Sequence, residues 1–300
     1  MAIRVANAPC SWGILEFDGH GPALASSQVL DELAATGYAG TELGDWGFMP
    51  TDPAALRHDI ERRVLTLVGA FVPVDLSDPA AHTEGIARAV RTARLLRDAG
   101  YPRAFVVLAD MTDGNARRVA VAGRVGDADA LDNAQWNVLA RGASAIAGEV
   151  LEQTGLRTVF HPHCGSFVET GQEVERLMER TDSSLLGLCL DTGHLTYAGA
   201  DPIAVLERYR HRVWHVHFKD CEPEIAADAR RNESDYFTAV RNGVFCELGR
   251  GSVKFPRLVD SMRHGGYDGW IVVEQDVLPA LGTPEESARR NRAYLRTLGL

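Results

Sequence analysis

Two short stretches in the second half of the chain carry histidine, aspartate and lysine side chains within or directly after apolar runs. The first run, 186–190, ends in Asp191-Thr-Gly-His194. The polar residues of the second stretch, 213–219, are His215, His217 and Lys219. Their alternation with apolar residues predicts a strand that has one apolar and one polar face. A parallel strand covered by helices must give such polar groups partners, and a metal ion is one partner for imidazole and carboxylate groups.

The rest of the chain predicts a repeating unit of strand and helix. Eight predicted strands alternate with eight helical segments; the strands are 3–9, 40–44, 66–74, 104–109, 157–163, 186–190, 213–218 and 269–276. Each crossover is long enough for a right-handed parallel connection. We therefore predict one (β/α)8 barrel over 1–300, with an insertion at about 221–251 after strand seven. An open doubly wound sheet is the alternative.

Titratable residues follow the predicted strands at their carboxyl ends. Besides the residues above, this set contains Glu42, Asp110, His161, His163, Glu274 and Asp276. In a barrel these ends meet at one mouth, where catalytic residues are found. The predicted strands five to eight offer His, Asp, His and Glu side chains, which together can enclose one divalent ion with two nitrogens and two oxygens. This donor set suits manganese, iron, cobalt or zinc better than calcium.

Composition excludes several classes of function. The net charge of −10 and the lack of a long basic run argue against nucleic acid and anionic membranes as partners. No stretch reaches the roughly 20 apolar residues that span a bilayer, so we expect a cytoplasmic protein. The five cysteines form no CxxC pair. No glycine-rich phosphate loop opens a predicted helix, so we expect no nucleotide cofactor.

With these motifs in place, the chain resembles the xylose-isomerase-like barrels of sugar isomerases, ketose epimerases and related dehydratases. The resemblance rests on Asp191 in LCLDTGH, His217 in WHVHFKD and Glu274 in IVVEQD. It implies a divalent metal held by residues that end strands five to eight, which here are His161, Asp191, His217 and Glu274. Where the family usually has Glu in strand five, this chain has His161-Pro-His163. Either histidine could supply that ligand.

Within that superfamily, the segments FHPHCGSFVET, DTGHLTYAGADP and HVHFKD, with others between 160 and 280, resemble the inosose dehydratases. The resemblance implies a metal-dependent lyase that acts on a cyclic polyol ketone such as 2-keto-myo-inositol. We expect manganese or cobalt, with iron, zinc or magnesium as alternatives. A polyol or sugar is then the expected partner, and a homo-dimer or homo-tetramer the expected assembly.

Loss of water from such a ketone needs one group that removes a proton and one that donates a proton. We predict that the catalytic residues are His163, His194, Lys219 and Glu274, without assigning acid and base. The residues predicted to contact substrate are Trp12, Glu42, His215 and Arg250. Glu42 could instead pair with an arginine, Trp12 could pack in the core, and His215 could orient a metal ligand.

Three other functions use parts of the same pattern. A ketose 3-epimerase or a sugar phosphate isomerase needs the same metal and the same enediolate. A non-catalytic sugar-binding barrel would account for hydroxyl-binding residues but not for four clustered metal ligands. Fold resemblance alone does not choose among these functions.

Overall fold

The structure is a computed structural model that describes residues 3–13, 24–112, 115–276 and 282–300. Within these residues, eight parallel strands close a barrel, which confirms the predicted (β/α)8 fold. These strands are β1 (Arg4–Asn7), β2 (Gly40–Glu42), β3 (Thr66–Val74), β4 (Phe105–Asp110), β5 (Arg157–Phe160), β6 (Leu186–Asp191), β7 (Val213–Phe218) and β10 (Trp270–Val273). The order around the barrel follows the chain, with β10 between β7 and β1.

The helices surround the strands and connect them. They are α1 (Ser26–Ala35), α2 (Pro53–Glu61), α3 (His82–Asp98), α4 (Ala116–Val121), α5 (Asn133–Thr154), α6 (Gly171–Arg180), α7 (Thr192–Tyr197), α8 (Pro202–Arg208), α9 (Pro223–Arg231), α10 (Tyr236–Arg241), α11 (Phe255–His264) and α12 (Pro284–Thr297). Helix α2 begins after Asp52, whose carboxylate accepts from the Ala55 amide, and Pro53 occupies the first helical position. None of the described helices is long and apolar enough to cross a membrane.

The predicted strands 3–9, 40–44, 157–163 and 269–276 extend beyond the carboxyl ends of β1, β2, β5 and β10. The predicted fifth strand extends to residue 163, whereas β5 ends at Phe160. Pro162 has no amide hydrogen and cannot continue the ladder of hydrogen bonds. The stretch between 111 and 131, predicted as a loop, contains α4, whose first turn is capped by the Asn115 side chain.

Strand register brings Asp191, His217 and Glu274 to the same mouth of the barrel. Asp191 of β6 pairs with His217 of β7, and Phe218 of β7 pairs with Val273 of β10. The amide of Glu274 then donates to the carbonyl of Phe218. Residues that follow β5, β6, β7 and β10 therefore lie side by side.

The segment between β7 and α11 forms a small unit at this mouth, with α9, α10 and an antiparallel pair, β8 (Asp220–Cys221) and β9 (Phe245–Cys246). The carboxylate of Asp220 closes it by accepting from the backbone amides of Gly249, Gly251, Val253 and Cys221. A side chain at Gly251 would put its Cβ 2.4 Å from the Asp220 Oδ1 atom, so this approach requires glycine. An apolar cluster that includes Cys164, Tyr197, Tyr236 and Phe245 joins this unit to the loops after β5 and β6.

Candidate metal and active site

Four side chains from neighbouring strands converge at the mouth of the barrel. One ligand atom from each of them lies within 4.8 Å of the others, and the residues are His161, Asp191, His217 and Glu274. The Nε2 atom of His161 is 3.6 Å from Oδ2 of Asp191, and Nδ1 of His217 is 3.1 Å from Oε1 of Glu274. The first three residues are buried, and the Glu274 side chain is 13% exposed. His161, rather than His163, belongs to this cluster of four.

The polar atoms of this cluster fit a divalent cation. Both ring nitrogens of His161, Oδ2 of Asp191 and Nδ1 of His217 are buried and have no hydrogen-bond partner among the described residues. The other carboxylate oxygen of Asp191 accepts from the His194 amide at 2.7 Å. Buried polar atoms without partners are costly, and a cation among two imidazoles and two carboxylates would satisfy them. The four residues could therefore hold one divalent metal ion.

Glu42 at the end of β2 reaches across the barrel to β7. Its Oε1 atom is 2.7 Å from Nε2 of His215 and 3.0 Å from Nε2 of His217. Burial acts to raise the pKa of Glu42, but the His217 and His215 rings lower it to about 2. The ionised carboxylate can only accept, so both Nε2 atoms carry hydrogen. Gly69 leaves room for this contact, since a Cβ there would lie 2.9 Å from Oε1.

Nε2 of His217 donates to Glu42, and the other ring nitrogen, Nδ1, faces the four-residue cluster. In the neutral ring, Nδ1 then carries a lone pair that faces a Glu274 oxygen 3.1 Å away. Two lone pairs repel at this distance unless a proton or a cation lies between them. Burial disfavours a charged His217 ring, but Cys189, Glu274 and Glu42 raise its pKa well above the usual range. This electrostatic preference for positive charge is what a metal site requires.

Glu42, His215 and His217 also form a group whose ligand atoms lie within 4.8 Å of one another. The two distances to Glu42 are those of charge-assisted hydrogen bonds. We therefore interpret Glu42 as the carboxylate that orients two histidine rings, rather than as part of a second metal centre.

The rings of His163 and His194 pack against each other beside the four-residue cluster, with centroids 4.1 Å apart and planes tilted by 40°. The backbone of Cys164 contacts both: its carbonyl lies 2.8 Å from His163 Nδ1, and its amide donates to His194 Nδ1 at 3.2 Å. Burial lowers the pKa of His194 well below its usual range, and the neighbouring His163 and Lys219 add to this effect.

Lys219 also borders the cluster and is buried. Its Nζ atom is 3.5 Å from Oε2 of Glu274, 3.6 Å from Oδ1 of Asp276 and 4.8 Å from the centroid of the Phe245 ring. Burial alone would raise the pKa of Glu274, but His217 and Lys219 lower it well below its usual range. The glycine of the DTGH motif has a packing role, since a Cβ at Gly193 would lie 2.6 Å from Lys219 Cγ.

The structure does not bring Trp12 and Arg250 into this cluster. The Trp12 ring is buried in the main apolar core, and its Nε1 atom donates to Glu32 at 2.7 Å. Arg250 is 63% exposed and lies 3.3 Å from a Glu247 oxygen. Substrate contacts by these two residues remain sequence predictions.

Sequence reasoning missed two aromatic residues that cover the histidines. The hydroxyl of Tyr236 is 3.4 Å from His163 Nε2, and the Phe245 ring packs edge-on against His194 with centroids 4.9 Å apart. Both residues come from the segment after β7, which is rich in charges and turns. One signal for Tyr236 was available in the sequence, namely the aromatic pair Tyr236-Phe237 directly after the helix-capping residue Asp235.

The parallel strands close a barrel, and a cluster of possible metal ligands lies at the carboxyl ends of β5, β6, β7 and β10. These two features define a TIM-barrel protein with a candidate metal site. A model of the xylose isomerase-like TIM barrel family matches residues 30–298. The chain belongs to this family and is an enzyme of the xylose isomerase-like superfamily.

Known proteins similar to this chain include relatives in sequence and in structure. Inosose dehydratase of Geobacillus kaustophilus (strain HTA426) is 32% identical over 296 residues, which cover 98% of this chain and 94% of the relative. The crystal structure of the probable 3-DHS dehydratase AsbF from Bacillus anthracis has a TM-score of 0.70 and 16% identity, with 98% of this chain and 99% of that chain covered. The IOLI protein, solved with a zinc atom, has a TM-score of 0.69 and 13% identity over 99% of this chain and 98% of that one. At these identities the two structures establish the fold alone.

Proposed function

We propose that this enzyme is a divalent-metal-dependent dehydratase, a carbon–oxygen lyase, that acts on a cyclic polyol ketone such as 2-keto-myo-inositol. The observation that carries the proposal is the buried four-donor cluster with His163, His194 and Lys219 around it. The full-length similarity to an inosose dehydratase supports the substrate class. The ligands in this proposal are His161, Asp191, His217 and Glu274.

A divalent cation at this cluster would supply Lewis acidity, which makes a proton beside a carbonyl group easier to remove. We propose manganese or cobalt, since both accept mixed imidazole and carboxylate ligands. Iron, zinc and magnesium are the alternatives, and zinc is the ion named for the IOLI structure of the same fold.

The chain's own side chains would carry the proton transfers. Dehydration removes a proton from the carbon next to the carbonyl and expels a hydroxyl from the following carbon as water. His163, His194 and Lys219 are the titratable groups beside the cluster that could take or give these protons. Tyr236 and Phe245 cover the histidines and would exclude bulk water from the reacting carbons.

The test is a direct assay of the metal-loaded protein with 2-keto-myo-inositol. We expect the ultraviolet absorbance of a conjugated dione to grow and a chelator to abolish this growth. Absence of product while bound metal is demonstrated by elemental analysis would overturn the dehydratase assignment. Deuterium uptake from solvent into a ketose under the same conditions would then indicate a ketose 3-epimerase.

A further inference from the structure

We propose that the peptide groups of Cys164 hold His163 and His194 in opposite tautomers, so that His163 is the base and His194 is an uncharged hydrogen-bond donor to a substrate oxygen. The catalytic half of this inference rests on the proposed function, whereas the tautomers are a property of the protein alone. Opposite tautomers give His163 and His194 different roles, which their identical residue type does not distinguish.

Two contacts of His163 place a hydrogen on Nδ1. The Cys164 carbonyl oxygen lies 2.8 Å from this nitrogen, and a carbonyl can only accept. The Thr112 hydroxyl, 3.1 Å from the same nitrogen, can share that hydrogen. In the neutral ring the lone pair is then on Nε2, the atom that faces the Tyr236 hydroxyl at 3.4 Å. A lone pair on Nε2 is what a base at this position needs.

The contacts of His194 require the opposite arrangement. The Cys164 amide donates to Nδ1 at 3.2 Å, so this nitrogen carries the lone pair and Nε2 carries the hydrogen. A doubly protonated ring would point one N–H at another. The Nε2 atom is buried and has no hydrogen-bond partner among the described residues. An oxygen of a bound substrate would provide the missing acceptor.

The two tautomers decide which of His163, His194 and Lys219 can carry out each proton transfer. His194 offers no lone pair at Nε2, and loss of its one hydrogen would create an imidazolate anion, so it acts as neither base nor acid. His163 Nε2 takes the proton next to the carbonyl, and the C–H electron pair forms the enol double bond. When the C–O bond to the next carbon breaks, its electron pair leaves with oxygen. The Lys219 ammonium, 3.5 Å from Glu274, is the remaining donor that converts this oxygen to water. Solvent exchange returns the proton from His163 to Lys219, so the net change is loss of one water molecule.

Nitrogen NMR of metal-free protein labelled with ¹⁵N-histidine tests the tautomers without substrate. We expect Nδ1–H for His163 and Nε2–H for His194, assigned from the signals that vanish in His163→Gln and His194→Gln. Cys164→Ala keeps both peptide groups and should leave the pattern unchanged. The same tautomer in both rings, a doubly protonated His194, or a changed pattern in Cys164→Ala would overturn the inference.

Deuterium exchange of the substrate proton next to the carbonyl tests the roles. Loss of the base in His163→Gln should slow exchange by about 100-fold or more. The amide of His194→Gln can still present an N–H near the Nε2 position, so exchange should fall by no more than about tenfold, whereas the shorter His194→Asn should lose more. The reverse ranking of His163→Gln and His194→Gln would overturn the assignment.

His58→Gln is the matched control for the base, because it makes the same substitution at an exposed position on α2, away from the site. We expect exchange to remain within a few-fold of wild type. A loss as large as that of His163→Gln would show that the slower exchange does not come from loss of the base, and would contradict the assignment. If the wild-type enzyme with bound metal exchanges no proton from the ketone, the proposed function fails, and the NMR pattern still decides the tautomers.

Discussion

The Oε1 atom of Glu42 lies 3.0 Å from Nε2 of His217, although 175 residues separate them in the chain. The carboxylate on β2 accepts the ring hydrogen of a histidine on β7 and leaves Nδ1 to face Glu274. A carboxylate partner of this kind fixes the tautomer and orientation of a metal-binding imidazole. Glu42 therefore acts through His217 in our interpretation, and its contact with His215 holds the carboxylate in place.

The first prediction concerns Glu42→Gln. Both ring N–H groups contact the same oxygen, Oε1, which glutamine can retain, but the neutral amide removes the negative charge that stabilises them. We therefore expect affinity for manganese or cobalt to fall about tenfold or more. Titration calorimetry of the metal-free protein measures this change. Glu207→Gln, an exposed position on α8, is the control and should bind metal as wild type does. Equal affinities in both variants would contradict the positioning role.

The second prediction separates ligands from neighbours. His217→Ala and Glu274→Ala should each lose bound metal and turnover together, because each removes one of four clustered donors. Elemental analysis after dialysis, together with the dehydration assay, provides both readouts. His264→Ala, on the exposed end of α11, should keep both. Full activity in either ligand variant would disprove the site assignment.

The positions of the four clustered residues were predictable, because each lies in or directly after an apolar run at a strand end. The two-residue alternation in 213–218 predicts β7 with its observed bounds, since a buried face repeats every second residue. The pairing of Glu42 with His215 was not predictable, because barrel closure, rather than local pattern, brings β2 and β7 side chains together. The alternative prediction, that Glu42 pairs with an arginine, was wrong, because barrel closure places its carboxylate against His215 and His217.

The contribution of the segment after β7 to the site could not be predicted from the sequence either. This segment lacks the regular period of the barrel, so no pattern indicates that Tyr236 and Phe245 turn towards the histidines. In the sequence, Asp220 follows Lys219 in the HVHFKD motif, a pattern that would also fit a surface ion pair between the two side chains. In the structure its carboxylate instead binds backbone amides, a role that depends on a loop about thirty residues later in the chain.

The third prediction follows from that contact. Asp220→Asn replaces one acceptor oxygen by an NH2 group that would face amide donors, such as those of Gly249 and Gly251. A lost buried hydrogen bond with a mismatched donor costs about 1–3 kcal/mol. We expect faster cleavage within 221–251 in limited proteolysis. Asp228→Asn, an exposed site on α9, should be cleaved at the wild-type rate. Equal rates for the two variants would argue against the closing role of Asp220.

The fourth prediction concerns pH and Glu169, a buried residue in the loop after β5. Its Oε1 and Oε2 atoms accept from the amides of Gly123 and Gly165 at 2.6 and 2.7 Å. Burial raises the pKa of Glu169 to about 7, and these backbone hydrogen bonds oppose the shift only in part. The folded protein therefore holds a proton that the unfolded chain releases near pH 4.3.

Because the folded-state pKa is raised, the stability that this proton contributes is present below about pH 4.3 and is lost as pH rises towards about 7. Glu169→Gln does not titrate, so the free energy of unfolding of wild type relative to this variant should fall by roughly 1–3 kcal/mol between pH 5 and pH 8. Urea unfolding of the metal-free proteins at several pH values measures the difference. Asp110, whose pKa burial also raises to about 7, titrates in both proteins, so its contribution cancels to first order. A difference that grows with pH would show that the Glu169 carboxylate is stabilised in the folded state, opposite to this prediction.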